Sequence, residues 1–519
     1  CYTQSHPDRL ATLATLMGMR PPAIERGRIL ELGCASGGNL IPMAISLPSA
    51  ALVGIDYSAT QIAEGQSIIE ALGLTNVALK HQNILEVGPE LGHFDYIIAH
   101  GVYSWTPPAV RDQLLAICRQ NLSANGVAYV SYNTYPGWHL LGMVREMLLY
   151  YTRAETDPHQ RAAKARELLA FLAESVTAEN SAYGTFLEAY TTLLQKQLAH
   201  AQPRDDSLLL HDELETYNDP VYFHQFAEHA ARHGLQYLSE AELPAVMPTN
   251  FRPAVSQRLL SISKNLIELE QHIDFLRNTT FRKTLLCHQE VALNRTLKAD
   301  PERMAAFFVA SRAAPVSHTP DVLGTTVEQF RGPDGAILST DHPVSKAALL
   351  YLNEHSPQAI PFAELVAQAG RRVYQEERPP AALLPDAQVL AANVLKAYSY
   401  SLNLVELHVY RPPFVLEVSE RPVASSLARW QARQSGRVVN LRHERVHLDE
   451  VSRYLLPLLD GRRDRQALVE RLDELRIGGV IGVQREGRAI VGNNEARRVL
   501  GQEIELNLNW LARAALLMA

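Results

Sequence analysis

Glu31, the glycines at 33, 37 and 38, and Asp56 have the types and spacing to hold a charged nucleoside. They lie in Arg28-Ile-Leu-Glu-Leu-Gly-Cys-Ala-Ser-Gly-Gly-Asn39 and Leu52-Val-Gly-Ile-Asp56: an apolar segment entering a glycine turn, then a second apolar segment ending on a carboxylate. Without a Cβ, Gly33 and Gly37 let backbone pass close to a ligand and adopt angles closed to other residues. Gly38 is expected to let the following helix start tight against the strand, and the unpaired amides of that helix start favour an anion such as an amino-acid carboxylate. Glu31 stands near enough to attract an ammonium, directly or through water. Asp56 can accept from both hydroxyls of a ribose. Ammonium, carboxylate and ribose are the polar groups of S-adenosylmethionine, and that is the expected cofactor. The same turns add Cys34, Ala35, Asn39, Tyr57, Gln61, Asn83, Ile84 and His100 as candidate cofactor contacts.

Two other readings of the turn exist. A dinucleotide site would use G-x-G-x-x-G, whereas the order here is Gly33-x-x-x-Gly37-Gly38 with an acid two positions earlier. A bare glycine turn without a ligand would leave Glu31 and Asp56 unexplained.

Methyl transfer from a sulfonium is an in-line displacement, so approach and orientation do most of the work. The substrate edge of an open α/β sheet lies outside the carboxyl ends of the strands. There the sequence reads His100-Gly-Val-Tyr103-Ser-Trp105, whose aromatic faces could hold a cation and whose imidazole could relay a proton near neutral pH. Tyr132, at the end of the fifth strand, and Tyr135, in the run that follows it, are further acceptor-side candidates. The bland alternatives are a lid packed by Tyr103 and Trp105, a backbone hydrogen bond for His100, and a plain loop at Asn133-Thr-Tyr135-Pro136. The Asn/Asp-Pro-Pro-Tyr/Phe run used for amines of bases or glutamine is absent after the fourth strand.

Positioning these residues calls for a parallel sheet with helices on both faces. Apolar runs predict strands at 28–33, 51–55, 77–81, 94–99 and 126–132, alternating with helices near 38–47, 58–72 and 108–122. A helix over 7–18 precedes them. A helical stretch from about 138 interrupts the alternation and closes on the polar loop Gln202-Pro-Arg-Asp-Asp-Ser207. The sheet then resumes with a helix over 219–234, a strand at 235–238 and a last strand, Phe281 to His288. Beyond 300, Thr325 to Phe330 and Ala336 to Ser339 around a Gly332-Pro-Asp-Gly335 turn predict a hairpin, and 452–472 predicts helix, turn, helix.

At 519 residues the chain is too long for one core. Lys plus Arg total 49 against 56 Asp plus Glu, a balance of −7 that offers no general attraction to nucleic acid or anionic lipid. The four cysteines form no C-x-x-C pair and suggest a reducing, cytoplasmic setting. No apolar run reaches the roughly 18 residues of a membrane span, and the first residues lack the blocks of a signal peptide.

Three stretches resemble a known family. Thr3-Gln-Ser-His6-Pro7-Asp8-Arg9, Glu31-Leu-Gly-Cys-Ala-Ser-Gly-Gly-Asn39-Leu-Ile-Pro42 and Phe94-Asp-Tyr-Ile-Ile-Ala-His100-Gly-Val-Tyr103-Ser-Trp105 are similar to bacterial methyltransferases carrying a methyltransferase regulatory domain. Asp274-Phe-Leu-Arg277 with Phe281-Arg282-Lys-Thr-Leu-Leu-Cys-His288 looks like that regulatory segment. Leu455-Leu-Pro-Leu-Leu-Asp-Gly461 and the basic helix start after it resemble the winged-helix domains that end such chains. The family includes lysine methyltransferases of bacterial outer-membrane proteins, which implies a protein or peptide substrate. Where many methyltransferases carry an acid for the adenine amine, this chain has His81-Gln82-Asn83-Ile84, and the Asn83 oxygen can accept that bond instead.

The expected fold is a Rossmann-like α/β methyltransferase sheet with an inserted helical subdomain and C-terminal winged-helix-like α+β domains. The expected division is a cofactor-binding core at 1–137, the helical insert at 138–210, a regulatory segment completing the sheet at 211–295, and winged-helix-like units at 296–415 and 416–519. A homodimer is compatible with this layout. Other functions remain open: methylation of a small molecule, or a binding module that keeps the cofactor pocket as a sensor. His229-x-x-x-His233 has metal-ligand spacing on a helix, but no third ligand is evident in the sequence, and no metal is expected. Gly461-Arg462-Arg463-Asp464-Arg465 sits among acidic neighbours, which favours a solvated helix start or a protein-docking surface over DNA.

Overall fold

The computed structural model describes residues 1–518 except 176–188, 191, 197–198, 200–205, 207–208, 211–212, 298, 483, 486–487 and 490–492. Its centre is a seven-stranded sheet: β1 (Arg28–Leu32), β2 (Ala51–Asp56), β3 (Val77–His81), β4 (Phe94–Ala99), β5 (Leu122–Asn133), β6 (Leu235–Glu240) and β7 (Phe281–His288). The order across the sheet is β3-β2-β1-β4-β5-β7-β6. β1 to β5 pair in parallel as expected. β7 departs from that pattern, running antiparallel to both β5 and β6. Two helices, Pro253–Ile262 and Leu266–Arg277, join β6 to β7. They bring the chain back at the end of the sheet where β6 stopped, so no crossover is needed and the direction reverses.

The period of two along each strand sorts side chains onto two faces. Ile29, Tyr96, Ile98, Val127 and Tyr129 fill one core, while Leu30, Leu32, Ile97, Ala99, Ala128 and Val130 fill the other. The second core is closed by α4 (Pro108–Gln120) and the helix Phe223–Arg232 through Leu114, Ile117, Phe226 and Ala230. The first is closed by α1 (Pro7–Leu16) and α2 (Leu40–Ser46). It continues without a break into Phe307, Val309, Leu390 and Tyr398 of the later half of the chain.

Local signals set the helix ends near the site. α3 (Ala59–Leu72) starts on Ser58, whose hydroxyl accepts from the Gln61 amide, and stops at Gly73 in the left-handed region. Helices Trp138–Thr152 and Pro158–Ser175 pack around their own apolar cluster of Val144, Leu148, Ala162 and Leu169. Of the expected loop 202–207, all but Asp206 lies outside the described residues. The expected hairpin appears as Glu328–Arg331 paired with Ile337–Thr340. Near the C-terminus, a hairpin (Arg437–Val439 with Arg445–His447) and the helices Glu450–Leu455, Arg465–Ile477 and Asn493–Arg513 make up the winged-helix part. Its core includes Leu455, Leu468, Leu472, Leu508 and Leu511. Among the described residues no helix is long and apolar enough to cross a membrane.

Candidate active site

The chain leaves β1 through a turn that the end of β2 holds shut. The amides of Gly33 and Cys34 both donate to the Ile55 carbonyl, at 2.8 and 3.1 Å. Gly33 has φ +72°, and a Cβ there would stand 2.5 Å from Cγ2 of Val102. Gly37 has φ +75° and a Cβ would press on Leu79 and Ile41. Gly38 does not have the part expected of it: a Cβ there would meet nothing within 4 Å. The close approach comes instead from Gly65 in α3, where a Cβ would lie 2.6 Å from the Ser36 carbonyl oxygen. A mid-helix glycine is the signal that sequence reading passed over.

A cavity of about 1190 Å³ opens above this turn. Its walls include Glu31, Gly33, Cys34, Ala35, Asn39, Asp56, Tyr57, Asn83, Ile84, His100 and Trp105, eleven of the residues singled out in the sequence. Gly37 and Gln61 do not line it: Gly37 is buried beneath the turn, and Gln61 is exposed on the first turn of α3.

Glu31 is buried beneath the turn. Its Oε1 accepts from Asn39 Nδ2 at 2.8 Å, whereas Oε2 is buried with no hydrogen-bond partner among the described residues. Burial raises its pKa to about 8. Asp56 accepts from the Ala35 amide through Oδ2 and from the Ser58 amide through Oδ1, each at 2.8 Å. Each oxygen keeps a second lone pair for a ligand hydroxyl. Asn83 Oδ1 accepts from the Leu85 amide at 3.0 Å, again leaving one lone pair.

Asn39 is held on every side. Its Nδ2 donates to Glu31 and to Ser5 Oγ, and its Oδ1 accepts from the Tyr2 amide and from Nε2 of His443, at 2.8 Å from the latter. His443 belongs to the turn of the C-terminal hairpin and has φ +62°. Asn440 stabilises that turn by accepting from the Arg442 and Glu444 amides. Arg445 from the same hairpin lines the cavity. Neither residue drew notice in the sequence, because the pairing spans some four hundred positions with no local pattern.

On the acceptor side the expected aromatics divide. Trp105 lines the cavity and meets Trp138 edge-to-face, with centroids 6.1 Å apart. Tyr103 and Tyr132 turn into the core beneath. Tyr103 OH bonds His229 Nδ1 at 2.8 Å and its ring packs on Phe226, while Tyr132 stacks on Phe226 and bonds Thr284. Burial pushes the Tyr103 phenol up to about 12. Tyr135 stacks on His139 outside the cavity wall. The period of two along β5 explains the division: Asn133 reaches the cavity, and its neighbour Tyr132 points to the opposite face. His100 lines the cavity with Nδ1 against Tyr129 OH (2.9 Å) and Ser131 Oγ (3.2 Å). Burial, helped by Lys283, holds its pKa down to about 4. It is therefore a neutral imidazole at neutral pH, poorly suited to the proton relay expected of it. Trp138, Glu213 and Phe281 complete this wall and were not expected.

Comparison with known proteins agrees with this geometry. Residues 30–128 match a family model described as a methyltransferase domain, 205–288 a predicted methyltransferase regulatory domain, and 420–516 the PKMT C-terminal winged helix domain. The uncharacterized protein RP789 of Rickettsia prowazekii is 34% identical over 508 residues, covering 96% of this chain and 88% of that protein. The solved structure of PKMT2 from Rickettsia typhi is 26% identical with a TM-score of 0.87, covering 100% of this chain and 99% of that one. A structure of the same protein in complex with AdoHcy gives a TM-score of 0.85.

Proposed function

We propose that this chain, which belongs to the bacterial S-adenosylmethionine-dependent methyltransferases with a regulatory domain and a PKMT-type C-terminal winged helix, transfers methyl groups to lysine side chains of a protein substrate. The lysine acceptor rests on the likeness to PKMT proteins. The observation that carries the cofactor part of this reading is Glu31 Oε2, a buried carboxyl oxygen without a hydrogen-bond partner among the described residues at the wall of the cavity. Such an atom costs about 1–3 kcal/mol when unsatisfied. A ligand ammonium offsets that cost.

In this reading the cofactor supplies an electrophilic methyl group, and the protein supplies position. Glu31 takes the ammonium, Asp56 the ribose hydroxyls and Asn83 the adenine amine. The wall of Trp105, Trp138 and Glu213 suits a lysine: aromatic faces attract an ammonium, and an acidic side chain stands on the same wall to accept a hydrogen bond from the amine. The amine must shed its proton before attack. Desolvation in this cavity, beside a cationic sulfonium, favours the neutral form. His100 stays neutral and orients; it adds no charge against the incoming lysine.

We further take the enzyme to be cytoplasmic, with its chain divided near 137, 210, 295 and 415, and the C-terminal winged helix to dock the polypeptide. The test is incubation with methyl-labelled S-adenosylmethionine and fractionated bacterial extract, followed by mass spectrometry of the labelled fraction. Label on lysine within polypeptide is expected. Label confined to small metabolites overturns the substrate assignment.

A further inference from the structure

Asp112 on α4 lies opposite His229 and His233, which are one turn apart on the neighbouring helix and its C-cap. The three donor atoms lie within 4.8 Å of one another. His229 Nε2 and His233 Nε2 stand 3.2 and 3.0 Å from the same oxygen, Oδ1 of Asp112. Around a tetrahedral zinc with bonds of about 2.0–2.2 Å, neighbouring donors are about 3.4 Å apart. Both carboxylate-to-imidazole separations are within a few tenths of an ångström of that value, and the two imidazole nitrogens lie within 4.8 Å of each other.

A second observation points the same way. The other nitrogen of His229, Nδ1, is bonded by the hydroxyl of Tyr103 at 2.8 Å. An outer partner on the far nitrogen is what fixes the ring of a metal-binding imidazole and selects which nitrogen faces the ion. Both imidazole side chains are mostly covered, at 14% and 17% exposure, while Asp112 is 67% exposed. The arrangement thus has a rigid nitrogen pair and an open side toward solvent.

We propose that Asp112, His229 and His233 form a site for a zinc-type divalent cation, which clamps the helix Phe223–Arg232 onto α4. Two imidazoles and one carboxylate suit a borderline metal better than calcium or magnesium, which prefer oxygen. The open side leaves the fourth position to water. The ion joins an element of the methyltransferase segment to one of the regulatory segment, behind the wall that carries Trp105. It lies outside the methyl-transfer cavity.

The full chain, stripped with chelator and dialysed, is titrated with cobalt(II) alone and followed in the visible. One equivalent should bind with the intense absorption of tetrahedral cobalt and be displaced by zinc. His233→Ala should weaken uptake by about tenfold or more. Asp112→Asn is the sharper variant, because its oxygen can still accept both imidazole N–H groups at an exposed position that folding tolerates. A site that is only a hydrogen-bonded knot would be indifferent to that change, whereas a metal site loses its anionic ligand and should weaken by a similar factor. Failure of the wild-type chain to take up one equivalent, or equal uptake by wild type and both variants, overturns the proposal.

Discussion

At Glu31, burial and ligand recognition are opposed. In the ligand-free protein burial holds its carboxyl up to about 8, so it is largely protonated at neutral pH. Because the folded value exceeds the unfolded one, this group makes the ligand-free protein less stable as pH rises from the ordinary carboxyl range to about 8. Binding an ammonium requires the charged form. S-adenosylmethionine affinity should therefore rise with pH up to about 8, with a proton released on binding, as calorimetry in buffers of different ionisation enthalpy would report. Glu31→Gln keeps the shape and removes the charge. It should weaken cofactor binding by roughly 10- to 100-fold, the value of about 1.5–3 kcal/mol for a hydrogen bond to a charged group, and abolish the pH dependence. Unchanged affinity in that variant would remove Glu31 from the cofactor site.

Among the elements, the turn after β1 and the C-terminal hairpin matter most. The turn tolerates no side chain at Gly33: alanine would have to keep φ +72° and push Val102 aside. Gly33→Ala should cost about 2–4 kcal/mol in denaturant unfolding, since both left-handed strain and overpacking contribute. The hairpin supplies His443, one of the two donors on Asn39 Oδ1, and Asn39 in turn orients Glu31. His443→Ala should raise the KM for S-adenosylmethionine about five- to tenfold with a smaller change in kcat, the loss of one buried hydrogen bond. A change in kcat alone would argue against this indirect role. The winged-helix part therefore helps to complete the floor of the cofactor pocket.

Across the whole molecule, a buried charge network ties the first helix to the later half of the chain. Asp8 on α1 meets His408 at 2.6 Å, His408 lies 3.3 Å from Glu406, and Glu406 pairs with Arg442. Against its burial, the charges of Asp8 and Glu406 raise His408 to about 9, while His408 and Arg442 hold Asp8 and Glu406 low. For the histidine, the folded value lies above the unfolded one. Its contribution is thus complete below the unfolded value and is lost as pH rises through about 9. The carboxylates act in the opposite sense and lose theirs as pH falls into the acid range. The thermal midpoint should decline from neutral pH toward 9, and His408→Gln should flatten that decline while lowering the midpoint at neutral pH. A midpoint in wild type that is level across this range would mean that the network is uncharged.

The sequence by itself determined the parallel half of the sheet, the glycine turn, the carboxylate at the end of β2 and the ends of α3, because each depends on neighbours within a few positions: a period of two, a left-handed angle, a serine cap. It also identified the cofactor side of the cavity wall, including Glu31, Asp56 and Asn83, since strand ends in such a sheet converge on one edge. Tertiary structure alone decided the rest. Which face of β5 meets the buried core and which the cavity depends on the elements packed against it, and His100 loses its charge because other elements bury it. His443 reaches Asn39 only when the C-terminal core packs beside the sheet, and Asp112 reaches its histidines only when α4 and the helix Phe223–Arg232 meet over the second core. Those encounters are encoded by complementary surfaces spread along the chain, and no short run of residues records them.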